Sequence, residues 1–226
     1  MNQHSQKELQ AKGERLHPRN TGGRRPKGEN GRGNHRRWFI LALVLILFVA
    51  AILFGTKFYQ KAIEQRQYPL NYVEIIFQYA EEYELDPYII CGVIHTESKF
   101  DAKAVSSVGA RGLMQVMPDT GAWIAQKMGI KDFEEEQLFD PDMNIRMGCW
   151  YLNYLFSLFP NKPDVVFAAY NTGPGRISGW LKQKEYNDGE GNLINIPYNA
   201  TRKYIEKVNH ATKRYREIYI LEEALD

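Results

Sequence analysis

Hydrophobic positions along this chain follow two regimes. From Trp38 to Thr56 no residue carries a charge, and Phe39, Ile40, Leu41, Leu43, Val44, Leu45, Ile46, Leu47, Phe48, Ile52, Leu53 and Phe54 dominate the run. About 19 residues at 1.5 Å rise make roughly 28 Å of helix, close to the hydrocarbon thickness of a bilayer. The run predicts a transmembrane helix over 38–56. Downstream, apolar residues recur at three- and four-residue steps instead: Val73, Ile76, Phe77 and Ala80; Ile89, Ile90, Val93 and Ile94; Ile145, Cys149, Leu152 and Phe156; Tyr204, Ile205, Val208, Ala211, Tyr215 and Ile218. Each set marks one face of an amphipathic helix.

Helix starts are punctuated to match. Asp86-Pro87, Asp140-Pro141 and Lys162-Pro163 place Pro where its missing N–H costs nothing, twice behind an Asp able to cap the first turn. The one candidate for β structure is a small hairpin around 186–196, with the turn-forming centre Asn187-Asp188-Gly189-Glu190-Gly191-Asn192. The expected fold class is therefore a mostly α domain with at most a small hairpin, preceded by one transmembrane helix. It divides into a basic disordered tail (1–37), the span (38–56), a polar stalk (57–69) ended by Pro69, and a folded domain (70–221).

Charge sets the expected orientation. The first 37 residues carry ten Lys or Arg against three acids, leaving 19 basic and 24 acidic of the chain's 29 and 27 beyond them. A basic flank stays in the cytoplasm, which puts the domain on the outer, cell-wall or periplasmic, side. Nucleic-acid binding by the tail is not expected, because topology accounts for the charge and no folded nucleic-acid module accompanies it. The two cysteines, Cys91 and Cys149, lie in apolar helical contexts. A disulfide and buried thiols are both compatible with that; free thiols are expected, since a core of this size needs no staple. No metal ligand set and no cofactor motif is present.

Candidate chemistry gathers in three segments. Glu97 lies in Ile94-His95-Thr96-Glu97-Ser98-Lys99-Phe100, one turn after Val93 and Ile94, so an apolar face leads to its carboxyl group. Such a setting disfavours the charged form and suits a general acid. His95, two positions away, points to another side of the helix, and Ser98 has no base to activate it. The second segment, Gly109-Ala110-Arg111-Gly112-Leu113-Met114-Gln115, sets two glycines three apart before Gln115, whose amide both donates and accepts. The third, Ala168-Ala169-Tyr170-Asn171-Thr172-Gly173, brings Tyr170 and Asn171 to the end of a closely packed helix.

In order and content these segments resemble the soluble lytic transglycosylases, lysozyme-like enzymes that cleave the peptidoglycan glycan strand, over roughly residues 70–220. The resemblance implies a catalytic Glu97 and a saccharide groove lined by Ser106, Gln115, Met117 and Tyr170, with Asn171 and Tyr204 as further substrate-binding positions. It also implies a mechanism in which Glu97 protonates the glycosidic oxygen between N-acetylmuramic acid and N-acetylglucosamine, then takes the muramyl C6 hydroxyl proton as a 1,6-anhydro ring closes. Two departures stand out: Thr172 where the family usually has Ala, and Ala200 where it commonly has a Glu ahead of Thr201-Arg202. A hydrolytic lysozyme of the same fold would need a second carboxylate, for which Asp101 and Asp119 are nearest in sequence; a non-catalytic peptidoglycan anchor would not need Glu97. Partners expected are glycan strands and the membrane; the sequence names no envelope assembly.

Overall fold

The computed structural model describes residues 32–219 of the chain, in two units divided between Ile52 and Leu53. That division falls inside helix α1 (Arg32–Gln67). The apolar side chains of α1 from Trp38 to Phe54 are exposed, and it is long and apolar enough to cross a membrane by length and composition. Residues 32–37, expected as part of the disordered tail, are instead its first turns. Adding residues to a helix already nucleated by the apolar run is far less costly than starting one. The rest of the expected tail, residues 1–31, lies outside the described residues.

The unit from Leu53 onward is helical: α2 (Val73–Glu82), α3 (Pro87–Ser98), α4 (Pro118–Met128), a 3-10 turn (Glu135–Phe139), α5 (Pro141–Leu158), α6 (Pro163–Thr172), α7 (Pro174–Leu181) and α8 (Asn199–Ile218). Proline opens α3 through α7. Asp86 and Asp140 cap as anticipated, accepting from the Tyr88 and Met143 backbone N–H groups at 2.8 and 2.9 Å. Helix α7 was not anticipated, because Pro174-Gly175 directly after a Gly stop reads as loop. The expected hairpin reduces to a single antiparallel bridge, Asn187 to Leu193. Its loop N–H groups are taken by side chains: the Asn187 Oδ1 accepts from Gly189 and Gly191, and the Asp188 Oδ1 from Glu190 and Asn192. Backbone satisfied in this way has no need of a ladder.

Helix α3 is the centre of the domain. Ile90, Cys91, Val93 and Ile94 are fully enclosed on it, which a helix surrounded on all sides requires. Its main neighbour is α8, and Gly92 explains how close they come: a Cβ there would collide with the Thr212 hydroxyl and lie 3.1 Å from the Val208 carbonyl oxygen. Cys91 and Cys149 are free and buried, and burial pushes the Cys91 thiol up to about 12, so neither is a ready nucleophile.

The stalk is less separate than its polarity suggests. Tyr68 is buried in the core and stacks on His95 with ring centroids 4.7 Å apart. The Tyr215 and Tyr219 hydroxyls on and just after α8 donate to the Pro69 and Tyr68 carbonyls at 2.9 and 2.8 Å, and Arg214 pairs with Glu64 at 2.9 Å. These bonds move the domain boundary back from residue 70 into the stalk. Because α3 and α8 touch through a missing Cβ, Gly92→Ala should destabilise the domain by about 1–3 kcal/mol, the usual cost of overpacking. Denaturant unfolding of the two proteins measures it, and equal midpoints would contradict the contact.

Candidate active site

Glu97 lies in the last turn of α3, half-buried, behind the enclosed Val93 and Ile94. Its Oε1 accepts a 2.7 Å hydrogen bond from the Tyr204 hydroxyl on α8. Burial raises the carboxyl to about 7, and the Tyr204 bond, which favours the charged form, offsets part of that rise. Among the described residues no other carboxylate contributes to the shift. Asp101 is exposed and accepts from the Lys103 backbone N–H at 2.8 Å, while Asp119 sits in the first turn of α4.

The segment from Ala104 to Met117 is folded against this helix end by a small set of polar groups. Arg111 and Val116 exchange backbone hydrogen bonds at 3.0 and 3.1 Å, closing a tight loop. Gly112 sits at φ +75°, and a Cβ on it would strike the Leu138 carbonyl and the Asn144 amide. Asn144, fully buried on α5, accepts from the Met114 N–H at 2.7 Å and donates to the Leu138 and Arg111 carbonyls at 2.7 and 3.0 Å. Ser98 donates to the Leu113 carbonyl at 2.8 Å and Tyr170 to the Met114 carbonyl at 2.9 Å. Helices α3, α5 and α6 thus each hold one part of the same turn. Leu113 and Met114 fill the core, and Met114 packs on Gly148.

The residues singled out from sequence do not all take the same position. Gln115, Met117, Tyr170 and Asn171 line one cleft of about 190 Å³, together with Thr120, Tyr151 and Gly173. Gln115 holds a left-handed backbone (φ +50°) and spends its amide protons on the Ala104 and Gly112 carbonyls at 3.1 and 2.9 Å. Ser106 is a turn residue whose hydroxyl accepts from the Ala110 and Val108 N–H groups at 2.9 and 3.3 Å. Tyr204, not Tyr170, makes the hydrogen bond to Glu97, and burial, with the charge of Glu97 after it, raises the Tyr170 pKa. Tyr170 therefore connects cleft and acid.

An adjoining cavity of about 310 Å³ shares Thr120 and Tyr151 with the cleft and adds Asp119, Trp123, Tyr154 and Pro174. Trp123 meets Tyr154 edge-on at 5.2 Å. The sequence reading missed Asn144, Thr120, Tyr151 and Trp123. Only Asn144 left a trace, as a polar residue at an apolar position of the α5 pattern.

A helical domain with a half-buried acid at the end of its central helix, facing a tyrosine and a looped cleft, defines a lysozyme-like protein. The chain belongs to the transglycosylase SLT domain family, which matches residues 74–192. It is 32% identical over 163 residues to the soluble lytic murein transglycosylase of Salmonella typhimurium, covering 71% of this chain and 25% of the relative. It is 29% identical over 172 residues to the membrane-bound lytic murein transglycosylase C of Yersinia enterocolitica, covering 65% and 47%. Among solved structures, the 70-kDa soluble lytic transglycosylase of Escherichia coli superposes with a TM-score of 0.62 at 32% identity, covering 68% of this chain and 25% of that one. An inactive mutant of the Pseudomonas aeruginosa transglycosylase Slt gives 0.60 at 32%, covering 67% and 25%. The chain thus spans between a quarter and a half of the length of these relatives.

The Tyr204 bond holds Glu97 below the value burial alone would set, so its removal has a definite sign. Tyr204→Phe should raise the Glu97 pKa and move the alkaline limb of the pH–rate profile upward from about 7. Turnover against pH for both proteins checks this, and an unmoved limb would disconnect Tyr204 from the acid.

Proposed function

We propose that this chain is a membrane-anchored lytic transglycosylase that cleaves the β-1,4 bond between N-acetylmuramic acid and N-acetylglucosamine without water. The observation that carries the proposal is Glu97, raised to about 7 by burial with no second carboxylate acting on it. At neutral pH such a group exists in both forms, so it can protonate the leaving glycosidic oxygen and then accept the C6 hydroxyl proton as the 1,6-anhydro ring closes. The substrate N-acetyl group assists from within, which removes the need for the usual carboxyl pair. Gln115, Met117, Tyr170 and Asn171 hold the strand in the cleft; Ser106 shapes the loop beside it, and Tyr204 orients the acid. A lysozyme-type hydrolase is less well supported because Asp101 is engaged in a turn and Asp119 does not act on Glu97. A non-catalytic anchor would have no use for a carboxyl group kept partly protonated by burial.

Reaction in ¹⁸O-water should give muropeptides with 1,6-anhydro ends and no label; labelled reducing ends would establish hydrolysis instead. Glu97→Gln should abolish turnover, since the amide keeps the shape but gives up no proton. Because the folded pKa lies above the unfolded one, the wild type loses stability as pH rises from about 4.5 to 7. The amide variant escapes that loss, so it should melt above the wild type at pH 8 and match it near pH 4.

The basic tail before α1 supports an orientation with the N-terminus in the cytoplasm and the domain outside. Protease added to intact spheroplasts should then digest the segment after Lys57 and spare residues 1–37. Digestion of the tail alone would reverse the topology.

A further inference from the structure

A second cavity, of about 330 Å³, lies where α3 meets α8 and the end of α1, and its lining shares no residue with the cleft or the aromatic cavity beside it. Helix α3 and its C-cap contribute His95, Thr96 and Lys99; α8 contributes Glu206, Lys207 and His210; Gln67 closes it from α1. None of these groups takes part in the chemistry proposed for Glu97. Lys99 occupies the left-handed C-cap of α3 at φ +56°, a conformation that glycine adopts more readily. Its ammonium group lies 3.2 Å from the His95 Nδ1.

One hydrogen bond bears on the tautomer of that histidine. The Gln67 carbonyl, 3.1 Å from the His95 Nε2, can only accept, so Nε2 carries the proton. The Lys99 ammonium lies 3.2 Å from Nδ1 and 3.5 Å from Nε2, over the face of the ring rather than in line with the Nδ1 lone pair. His95 is thus held between the Tyr68 ring and the Lys99 ammonium, which has no other acceptor among the described residues. Burial, and after it the charge of Lys207 on α8, lower the Lys99 pKa; burial, and after it the charge of Lys99, lower that of His95.

Charge in this cavity is unbalanced. Among the described residues, neither Lys99 nor Lys207 has a carboxylate within 4.0 Å, and Glu206 is the one acid in the wall. Arg214, which lies over the Tyr68 ring, is already paired with Glu64 and Glu217. Thr96 adds a buried hydroxyl that no protein group satisfies. Lys99 and Lys207 are exposed side chains that line the same cavity and repel each other, and an anion bound between them reverses the sign of that interaction. Phosphate suits the set better than a single carboxylate does, because its several oxygens can accept from both lysines and from a histidine N–H at once.

We propose that this cavity is a binding site for a phosphate group, held by Lys99 and Lys207 with His210 at its edge. An anchored chain can meet that group as a phospholipid headgroup or as free phosphate, and the two sources can be separated. The full chain, labelled in its histidine rings, is placed in phosphatidylcholine nanodiscs and titrated with inorganic phosphate. A saturable shift of the His210 resonances supports the site and assigns it to free phosphate. A shift on replacing phosphatidylcholine, whose phosphate is neutralised by its own choline cation, by phosphatidylglycerol, with no phosphate added, supports it and assigns it to an anionic lipid headgroup.

Lys207→Gln and Lys99→Gly should each weaken the response about tenfold or more, as loss of a charge-assisted hydrogen bond does. Glycine is at ease at φ +56°, so Lys99→Gly removes the charge without straining the cap. Lys203→Gln, an exposed lysine on α8 outside the cavity wall, serves as the control and should leave the response unchanged. Absence of a saturable shift in both arms, or equal weakening by Lys203→Gln, overturns the proposal.

Discussion

The close approach of α3 and α8 is the constraint on which the rest of the domain depends. Gly92 lets the α8 backbone reach α3 at Thr212 and Val208. The helices run antiparallel, so moving toward the end of α3 is moving toward the start of α8. Beyond Gly92 on α3 lies Glu97, and before Thr212 on α8 lies Tyr204; there the 2.7 Å hydrogen bond forms. A wider helix spacing would expose the carboxyl to water and separate it from the tyrosine together. The same pair secures the stalk, where Tyr215 and Tyr219 bond the Pro69 and Tyr68 carbonyls and His95 stacks on Tyr68. One missing methyl group thus bears on both the acid and the attachment of the stalk.

The cleft depends on a different kind of interaction. Its loop has little regular structure, so its backbone groups must find partners one at a time. Asn144 satisfies three backbone groups from a fully buried position, and Ser98 and Tyr170 take the carbonyls of Leu113 and Met114. These side chains come from three helices that the core already fixes. Positions such as Gln115 and Met117 are therefore held by rigid elements although they stand on a loop, which is what a site needs if it is to be preorganised.

Legibility in the sequence followed the range of the interactions. Helices were readable where proline, an aspartate cap and apolar spacing agreed, as at Pro87 and Pro141, because these signals are local. Glu97 was readable because the apolar residues that bury it are its own helix neighbours. Its partner was not: Tyr204 is 107 positions away, and nothing local distinguishes it from Tyr170. Asn144 was missed for the same reason, since its three partners lie on the loop and the 3-10 turn. The stalk boundary failed differently, because Tyr68 looks like any aromatic residue in a polar stretch until α8 folds over it.

Thr172 and Ala200, where the resemblance leads one to expect other residues, bring no charge to the start of α8. Ala200 is exposed in the first turn of α8, and Thr201 beside it is buried and meets Thr172 through their hydroxyls at 3.0 Å. An uncharged contact thus joins the end of α6 to the start of α8. A carboxylate close to Glu97 would raise its pKa further by repulsion, and a cation would lower it. Neither acts here, so burial and one phenol set the value between them. A group that must give a proton in one step and take one in the next works best when neither form is strongly preferred. Burial alone would favour the acid; the Tyr204 hydroxyl draws the balance back toward the carboxylate. In the proposed reaction, the Tyr204 hydrogen bond would therefore fit Glu97 for both halves, and the helix contact that makes the bond short would be part of the chemistry as well as of the fold.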